Sequence, residues 1–267
     1  MLASCKGKSI VITGATHGVG LATARLLAER GAEAITICGR NEATGRAVVT
    51  DLEELGTRAL FVQADLARPD DCFNVVDRAE QRFGKIDSLI NCCGCTERGT
   101  LESTTPELWD YIFAINVRAP FFLIQRAIPV MRKGGRGGTI ANIGSIAAHG
   151  GQPYITAHCA AKAALLTLTK NLAHSLRWDR IRVNTLNIGW TDTPTEHEVQ
   201  TKVHGLGEDW LERVSAHQPF GRLLSPLDVA RGLAFLISDE SGLMTGSIVD
   251  FDQRVIGTVD DNPMGPS

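Results

Sequence analysis

The hydrophobic pattern of the chain alternates short runs of β-branched residues with longer segments of helical periodicity. Strands are predicted at residues 8–12, 34–38, 58–63, 86–91, 139–143, 181–186 and 247–252. Helices are predicted at residues 19–30, 42–55, 69–83, 106–131, 155–178 and 226–237. Strands that are each followed by a helix indicate the α/β class, here a Rossmann-type, doubly wound parallel sheet of about seven strands with helices on both faces.

Two stretches depart from this alternation. The helix at 106–131 is expected to break near Ala119 and Pro120, because proline removes a backbone donor. Residues 192–218 are polar and irregular, with short helices expected, and the region at about 190–218 is predicted to be a substrate lid. No linker is visible, so residues 1–267 are interpreted as one domain with a loosely ordered tail at 260–267.

The composition disfavours several classes of partner. Hydrophobic residues make up 43% of the chain and charged residues 21%, as in soluble globular proteins. A net charge of −3 without a basic block argues against nucleic acid and membrane surfaces, and the apolar runs are too short to span a membrane. Seven cysteines, without a signal-peptide pattern, predict a cytoplasmic protein with reduced thiols.

A glycine-rich turn, TGATHGVG at residues 13–20, joins the first predicted strand to the first predicted helix. In this setting glycines permit a tight turn and let the backbone approach a pyrophosphate, which then lies at the helix N-terminus. A tight turn without a ligand is the alternative. The spacing resembles the Thr-Gly-x-x-x-Gly-x-Gly turn of the short-chain dehydrogenase/reductase family, and the resemblance covers nearly the whole chain.

The residues after the second predicted strand bear on the choice of cofactor. In this family an acidic residue there binds the free ribose hydroxyls of NAD, whereas this chain has Gly39 followed by Arg40. Arg40 and His17 can both face a ribose phosphate, which a guanidinium suits well. The alternative is that Arg40 is a solvated surface charge. The resemblance therefore favours NADP(H) over NAD(H).

Three further segments match family contacts to the cofactor. NCCG at 91–94 stands where relatives usually carry Asn-Asn-Ala-Gly, ADL at 64–66 matches the adenine contact, and IGWTDT at 188–193 is similar to the Pro-Gly-x-x-x-Thr segment beside the nicotinamide. The cofactor-binding residues that the resemblance implies are Gly14, Thr16, His17, Gly18, Val19, Gly20, Arg40, Asn41, Asp65, Leu66, Asn91, Cys93, Gly94, Lys162, Gly189, Thr191 and Thr193.

Two groups of potential metal ligands are present in the sequence. Cys92, Cys93 and Cys95 lack the paired spacing of zinc sites and have no nearby histidine, so they are predicted to be small buried hydrophobic residues. The acidic and histidine residues at 196–198 and 204 are predicted to form a solvated face of the lid. No metal is predicted.

The catalytic residues of the family are a serine, a tyrosine, a lysine and an asparagine. Together they deliver a proton to the reacting oxygen or remove it. Ser145, Lys162 and Asn116 occupy the matching positions. His158 stands where the family has its tyrosine, thirteen residues after the serine and four before the lysine on the same helix face. Tyr154 would need an unusual start to the helix to reach the same point.

Each matching residue also has a structural alternative. Ser145 is equally a turn-capping hydroxyl, and Asn116 is a mid-helix amide that needs a buried partner. Lys162 is poorly suited to a surface role, because it stands among alanines on a helix expected to be buried, and its alternative is that the helix presents it to solvent.

Imidazole differs from a phenol in how it handles a proton. A neighbouring ammonium penalises the imidazolium form, so neutral His158 can accept a proton from an alcohol but is a poor acid. The prediction is an NADP(H)-dependent oxidoreductase that transfers a hydride between nicotinamide and an alcohol or carbonyl substrate, with oxidation favoured and reduction only at lower pH. The alternatives are a nucleotide-binding pseudoenzyme, serving as a sensor or partner subunit, and an otherwise ordinary reductase with a relic substitution.

The expected partners are few. The substrate is a small molecule, and the resemblance implies a homo-oligomer, a tetramer or a dimer. Trp190 and Trp210 either line a substrate pocket or pack the lid.

Overall fold

Seven parallel strands form one sheet in the computed structural model, which describes residues 3–258. The strands are β1 (Ser9–Thr13), β2 (Ala34–Gly39), β3 (Arg58–Gln63), β4 (Ser88–Asn91), β5 (Gly138–Ser145), β6 (Ile181–Ile188) and β7 (Ile248–Phe251). Their order is β3-β2-β1-β4-β5-β6-β7, with every neighbouring pair parallel. The chain runs outward from β1 to β3 and then the other way from β4 to β7, which confirms the predicted doubly wound sheet.

Helices cover both faces of the sheet. They are α1 (Gly18–Glu29), α2 (Glu42–Glu54), α3 (Pro69–Phe83), α4 (Pro106–Phe113), α5 (Ala119–Gly134), α6 (Thr156–Leu176), α7 (Pro194–Glu198), α8 (Trp210–Ser215) and α9 (Pro226–Ile237). Apolar residues of α1, α2 and α9 share one buried cluster with Ile10 and Ile12. Those of α3, α5 and α6 share the other with Val11 and Leu89. Successive strand residues point to opposite faces, so neighbours in β1 belong to different clusters.

Most predicted boundaries agree with the structure within two residues. The predicted strands at 139–143 and 181–186 extend to Ser145 and Ile188, because β5 and β6 remain paired up to those residues. The predicted tail at 260–267 lies outside the described residues. Within residues 3–258, no helix is long and apolar enough to cross a membrane.

The predicted break near Ala119 and Pro120 is a π-helical segment at Ala114–Arg118, and the chain stays helical through it. Pro120 has no N–H to donate to the carbonyl of Asn116, and the N–H of Ala119 bonds to the Ala114 carbonyl, five residues back. The prediction of a break was therefore wrong, because one wider helical turn accommodates the missing N–H and the helix continues. This wider turn contains Asn116, one of the predicted catalytic residues.

The helix α9 packs against α1 and begins with a reciprocal cap. The Ser225 hydroxyl accepts from the N–H of Asp228 (3.2 Å), and the Asp228 carboxylate accepts from the N–H of Ser225 (2.9 Å). Arg222 donates to the same carboxylate at 2.5 Å, and this bond holds the pKa of Asp228 down at about 2. Since α1 starts at the glycine turn, the start of α9 indirectly supports that turn.

Replacing the cap tests this contribution. Ser225→Ala should lower the free energy of unfolding by about 1 kcal/mol, because an N-terminal N–H loses its acceptor, and Ser225→Gly by only a few tenths. Urea denaturation checks both values. Ser175→Ala is the control, since that exposed hydroxyl only donates to a carbonyl within α6 and its loss should change little. An equal loss for Ser225→Ala and Ser225→Gly would contradict the capping role.

Candidate active site

Two loops meet at the carboxyl end of the sheet, where the strand order reverses between β1 and β4. The Thr13 hydroxyl accepts hydrogen bonds from the backbone N–H groups of Cys92 (3.0 Å) and Cys93 (3.1 Å). This contact joins the glycine turn after β1 to the NCCG segment after β4. In open α/β sheets ligands bind at such a switch point. Here a cleft of about 660 Å³ opens between these loops.

The glycine turn leaves no room for a side chain at Gly14 or at Gly20. Gly14 has a φ of +65°, and a Cβ on it would lie 2.9 Å from the Cα of Cys93. A Cβ on Gly20 would lie 2.3 Å from the carbonyl oxygen of Gly14. His17 precedes α1 without capping it, so the first N–H groups of this helix have no side-chain cap where it borders the cleft. Such a helix start suits a phosphate group.

Most of the predicted cofactor-binding residues line this cleft. They are Gly14, Thr16, His17, Gly18, Val19, Gly20, Arg40, Asn41, Asp65, Leu66, Cys93, Gly94 and Thr193. Arg40 is exposed, and among residues 3–258 its guanidinium has no hydrogen-bond or ion-pair partner. A Cβ on the preceding Gly39 would lie 2.8 Å from the methyl carbon of Thr16, so this position has little space for a larger residue.

Four predicted contacts, namely Lys162, Asn91, Gly189 and Thr191, lie outside the cleft lining. Asn91 is 2% exposed and donates through Nδ2 to the side-chain oxygen of Asn142 (2.8 Å). Gly189 packs against Asp252, whose Oδ1 would lie 2.0 Å from a Cβ at this position. The Thr191 hydroxyl donates to the Gly189 carbonyl at 3.0 Å. These residues hold strand ends and a loop in place.

Asn116 and His158 both bind the backbone of Cys95. The side-chain oxygen of Asn116 accepts from the N–H of Cys95 (3.3 Å), and its Nδ2 donates to the carbonyls of Cys95 (2.9 Å) and Ile112 (2.9 Å). His158 Nδ1 lies 2.8 Å from the same Cys95 carbonyl. The Asn116 amide thus has the buried backbone partner that its position in an apolar stretch requires, and it fixes the carbonyl that holds His158.

The bond to Cys95 determines the tautomer of His158. A carbonyl oxygen only accepts, so Nδ1 carries the proton and Nε2 of the neutral ring is an acceptor. The side chain is 3% exposed. Burial, followed by the positive charges of Lys162 and Arg98, lowers the pKa of His158 from 6.5 to about 4. The ring is therefore uncharged at neutral pH.

Lys162 follows His158 by one turn of α6 and is also buried, at 4% exposed. Its Nζ donates to the Ile143 carbonyl at 2.8 Å, and burial lowers its pKa from 10.5 to about 8. Gly94 connects this cluster to the cleft. A Cβ on Gly94 would lie 3.3 Å from the side-chain oxygen of Asn116 and 3.6 Å from Nζ of Lys162.

Ser145 lies at the end of β5 and caps the short 3-10 helix Ile146–His149. Its oxygen accepts from the N–H of Ala147 at 3.1 Å, as the capping alternative predicts. Within the described chain the hydroxyl donates no hydrogen bond, so its proton can serve a ligand. Tyr154 lies before the first residue of α6 and is 45% exposed, stacked on the guanidinium of Arg98. It does not share the helix face of His158.

A chain of buried hydrogen bonds links the strands that carry the site. Asn142 accepts from Asn91 and donates to the Thr169 hydroxyl (2.9 Å), which pairs with the Thr185 hydroxyl (2.7 Å). It joins β4 and β5 to α6 and β6. Polar residues at the centre of apolar strands are the sequence signal that indicates such a network.

The three neighbouring thiols lie at the edge of the core. Cys92, Cys93 and Cys95 pack against the buried clusters, as predicted for small hydrophobic residues, but they are only partly buried because they also line the cleft. Their segment follows the end of β4, where one side stays open to the cleft. Burial still raises the pKa of all three thiols, that of Cys92 to about 12. Among the described residues, no group of three or more His, Cys, Asp or Glu could hold a metal ion.

Two tryptophans pack the predicted lid. Trp190 and Trp210 stack with ring centroids 6.1 Å apart, and Trp210 is fully buried. Their indole N–H groups donate to Glu196 Oε1 (2.7 Å) and His197 Nδ1 (2.9 Å). The prediction of a merely solvated face was therefore wrong for Glu196 and His197, because both accept from an indole. The packing alternative for the tryptophans is the one observed.

Several residues of the cleft were not predicted from the sequence. Most belong to the loop after β4, to α4 and to the lid region, and they include Thr96, Glu97, Arg98, Tyr111, Ile115, Thr195, Val199 and Val203. Burial raises the pKa of the Tyr111 phenol, which lies near the charges of Arg40 and Asp65. Their sequence positions could have identified them, since loops that follow parallel strands meet at the carboxyl edge of the sheet.

Known proteins are similar to this chain in sequence and fold. A family model described as enoyl-(acyl carrier protein) reductase matches residues 14–253. Cis-4-hydroxycyclohexanecarboxylate dehydrogenase of Sinomonas cyclohexanicum is 35% identical over 243 residues, which are 91% of this chain and 94% of that protein. The 3-oxoacyl-(acyl-carrier-protein) reductase FabG of Thermotoga maritima is 33% identical over 251 residues, covering 94% of this chain and 98% of that protein.

A solved structure shows the same likeness. L-sorbose reductase from Gluconobacter frateurii, complexed with NADPH and L-sorbose, superposes with a TM-score of 0.91 at 32% identity and covers 97% of this chain and 100% of that one. The chain therefore belongs to the short-chain dehydrogenase/reductase family of oxidoreductases, which use a nicotinamide cofactor. The family resemblance found in the sequence is confirmed.

The tight glycine turn gives a stability prediction. Gly20→Ala should lower the free energy of unfolding by about 1–3 kcal/mol, because the new Cβ meets backbone atoms that cannot rotate away. Gly134→Ala is the matched control, since the last residue of α5 has open space around it and should change stability by less than about 0.5 kcal/mol. Thermal and urea denaturation compare the two. Equal stability of both variants would show that the turn adapts.

Proposed function

We propose that this chain is an NADP(H)-dependent oxidoreductase that oxidises an alcohol, with His158 as the acceptor of the hydroxyl proton. The observation that carries the proposal is the hydrogen bond between Nδ1 of His158 and the Cys95 carbonyl. It leaves Nε2 as the acceptor, within a cluster whose other members match the family pattern. When bound, the cofactor accepts the hydride of the alcohol.

The residues of the cleft fit a phosphorylated dinucleotide. The glycine turn and the uncapped start of α1 suit its pyrophosphate, as the space around Gly14 and Gly20 indicates. Arg40, without a protein partner in the described chain, and His17 suit the ribose phosphate that distinguishes NADP(H). Support also comes from L-sorbose reductase, whose structure contains NADPH.

Each side chain of the cluster has its own task in the oxidation. The Ser145 hydroxyl donates a hydrogen bond to the substrate oxygen and keeps its proton, since its own oxygen already accepts from Ala147. His158 takes the alcohol proton at Nε2. Asn116 holds the Cys95 peptide and thereby the ring of His158. The buried ammonium of Lys162 stabilises negative charge that develops on the substrate oxygen.

The protonation of the His158 ring determines which direction of the reaction it can assist. Reduction of a carbonyl needs a proton donor, and the only ring proton of neutral His158 is bound to Cys95. The imidazolium form is disfavoured by burial and by the neighbouring Lys162. Reduction is therefore expected only in acid, as the pH approaches about 4.

The two shifted pKa values predict the pH dependence of oxidation. The value of kcat/KM should fall as the pH decreases through about 4, because His158 becomes protonated and can no longer accept. It should also fall as the pH rises through about 8, because Lys162 loses its positive charge. Initial rates of NADPH formation with a panel of secondary alcohols measure both limbs. An acidic limb that is unchanged in His158→Gln would contradict the assignment.

Substitution of His158 separates the possible roles of this residue. His158→Ala should lower kcat by about 100-fold or more, because the proton acceptor is lost. His158→Tyr should move the acidic limb to higher pH and restore reduction near neutral pH, because a phenol accepts only when ionised and donates when it is not. His174→Ala, at an exposed position of the same helix, is the control. NADPH binding without any wild-type turnover, and turnover only in His158→Tyr, would indicate a nucleotide-binding pseudoenzyme instead.

Cofactor choice is tested at Arg40. Arg40→Ala should weaken NADPH binding by about 10- to 100-fold and leave NADH binding nearly unchanged, because only NADPH offers the ribose phosphate. Fluorescence titration of the reduced nucleotides measures both affinities. Arg46→Ala removes an exposed guanidinium paired with Glu42 (2.6 Å) on the next helix and should change neither. An equal loss for NADPH and NADH would rule out the proposed contact.

Relatives indicate the general kind of substrate. One is named for a hydroxycyclohexanecarboxylate, and another was solved with L-sorbose. Both names support a small alcohol or carbonyl compound for this chain. The predicted lid movement, homo-oligomer and cytoplasmic location stay predictions.

A further inference from the structure

Arg98 lies in the loop between β4 and α4 and is firmly positioned there. The next residue, Gly99, pairs with Ile155, and its backbone exchanges hydrogen bonds with Tyr154 (2.9 Å) and Thr156 (3.2 Å). These bonds attach the loop to the start of α6, the helix that carries His158. The position of Arg98 relative to the catalytic cluster is therefore set by backbone pairing.

The guanidinium of Arg98 is held from several sides. Nη1 donates to the Thr96 carbonyl at 2.8 Å, and Nε lies 3.4 Å from Nε2 of His204 in the lid region. The ring of Tyr154 stacks below it, 5.7 Å from the guanidinium carbon. In the part of the chain that the structure describes, Nη2 donates to no acceptor and Arg98 forms no ion pair. A fixed and half-buried cation is thus left without a counter-charge.

This cation also lines the cleft at the carboxyl end of the sheet. Arg98 lines the cleft together with Gly94 and with Val199 and Val203 of the lid region. Its charge contributes to the lowered pKa of His158, which places it within electrostatic reach of that ring. Arg98 is the cation of this part of the lining, the neighbouring Glu97 forms no ion pair with it in the described residues, and the walls supplied by the two valines are apolar. Such surroundings favour a ligand that carries one negative group on an apolar body.

We infer that Arg98 is a substrate-specificity residue that binds a carboxylate on the substrate, so that the natural substrate is a hydroxy acid. This inference rests on the proposed function for the reacting alcohol and adds the second group of the molecule. The planar guanidinium, with Nη2 open, matches the two oxygens of a carboxylate. The Tyr154 ring and the Thr96 carbonyl orient the forked N–H donors of the guanidinium before the ligand binds.

A pair of probes with the same shape and different charge tests the inference. Binding of cyclohexanecarboxylate and of neutral cyclohexanecarboxamide to the full chain is measured by NMR titration, with and without NADPH. The wild type should bind the carboxylate at least about 10-fold more tightly than the amide. Arg98→Gln should remove this preference and leave the amide and NADPH affinities unchanged. Arg98→Lys should keep part of it, because the charge remains but the fork does not.

Controls distinguish this inference from the proposed function. Arg213→Gln removes the same charge from an exposed residue paired with Asp209, and it should leave the preference intact. A wild type that binds both probes equally, or a preference that survives in Arg98→Gln, would overturn the role of Arg98. A loss of NADPH affinity in Arg98→Gln equal to its loss of carboxylate affinity would do the same, by assigning Arg98 to the cofactor. Failure of NADPH to bind the wild type contradicts the proposed function alone, because the probes are also compared without nucleotide.

Discussion

The Thr13 hydroxyl joins the two loops on which the site depends. By accepting from two consecutive N–H groups, it holds the NCCG segment against the glycine turn, close enough that a Cβ on Gly14 would contact Cys93. This close approach depends on the pairing of β1 with β4, in which Ile10 lies beside Ser88. One side of the resulting cleft suits phosphate, and the other leads past Gly94 to the catalytic cluster. Both halves of the proposed chemistry therefore depend on one strand pairing.

Burial gives the cluster its chemical character. His158 and Lys162 share a face of α6 and are both almost inaccessible to water, so burial lowers the pKa of each, and the charge of Lys162 lowers that of His158 further. The ammonium of Lys162 disfavours a positive charge on the imidazole beside it. The bond to Cys95 leaves the lone pair of Nε2 directed away from the backbone. For the proposed function, this environment suits His158 to accept a proton and not to donate one at neutral pH.

In the lid region, polar side chains accept hydrogen bonds from buried indole N–H groups. Glu196 and His197 look solvated in the sequence, yet each satisfies the N–H of a stacked tryptophan. Burying Trp210 without such a partner would leave a donor unpaired, which is costly. The same region supplies Val199 and Val203 to the cleft and His204 beside Arg98, so lid packing and the position of Arg98 are connected.

Local sequence determined most of the fold, because strand and helix periods, glycine positions and proline positions are properties of neighbouring residues. It placed His158 one turn before Lys162 and identified the glycine turn and about half of the cleft lining. The tertiary structure alone decided which carbonyl His158 meets, since Cys95 is 63 residues away in the chain. It also decided that Asn91 turns inward, that three thiols border the cleft, and that Arg98 stands beside the cluster. Those outcomes depend on side-chain direction and on pairings between distant strands and loops, which no local pattern encodes.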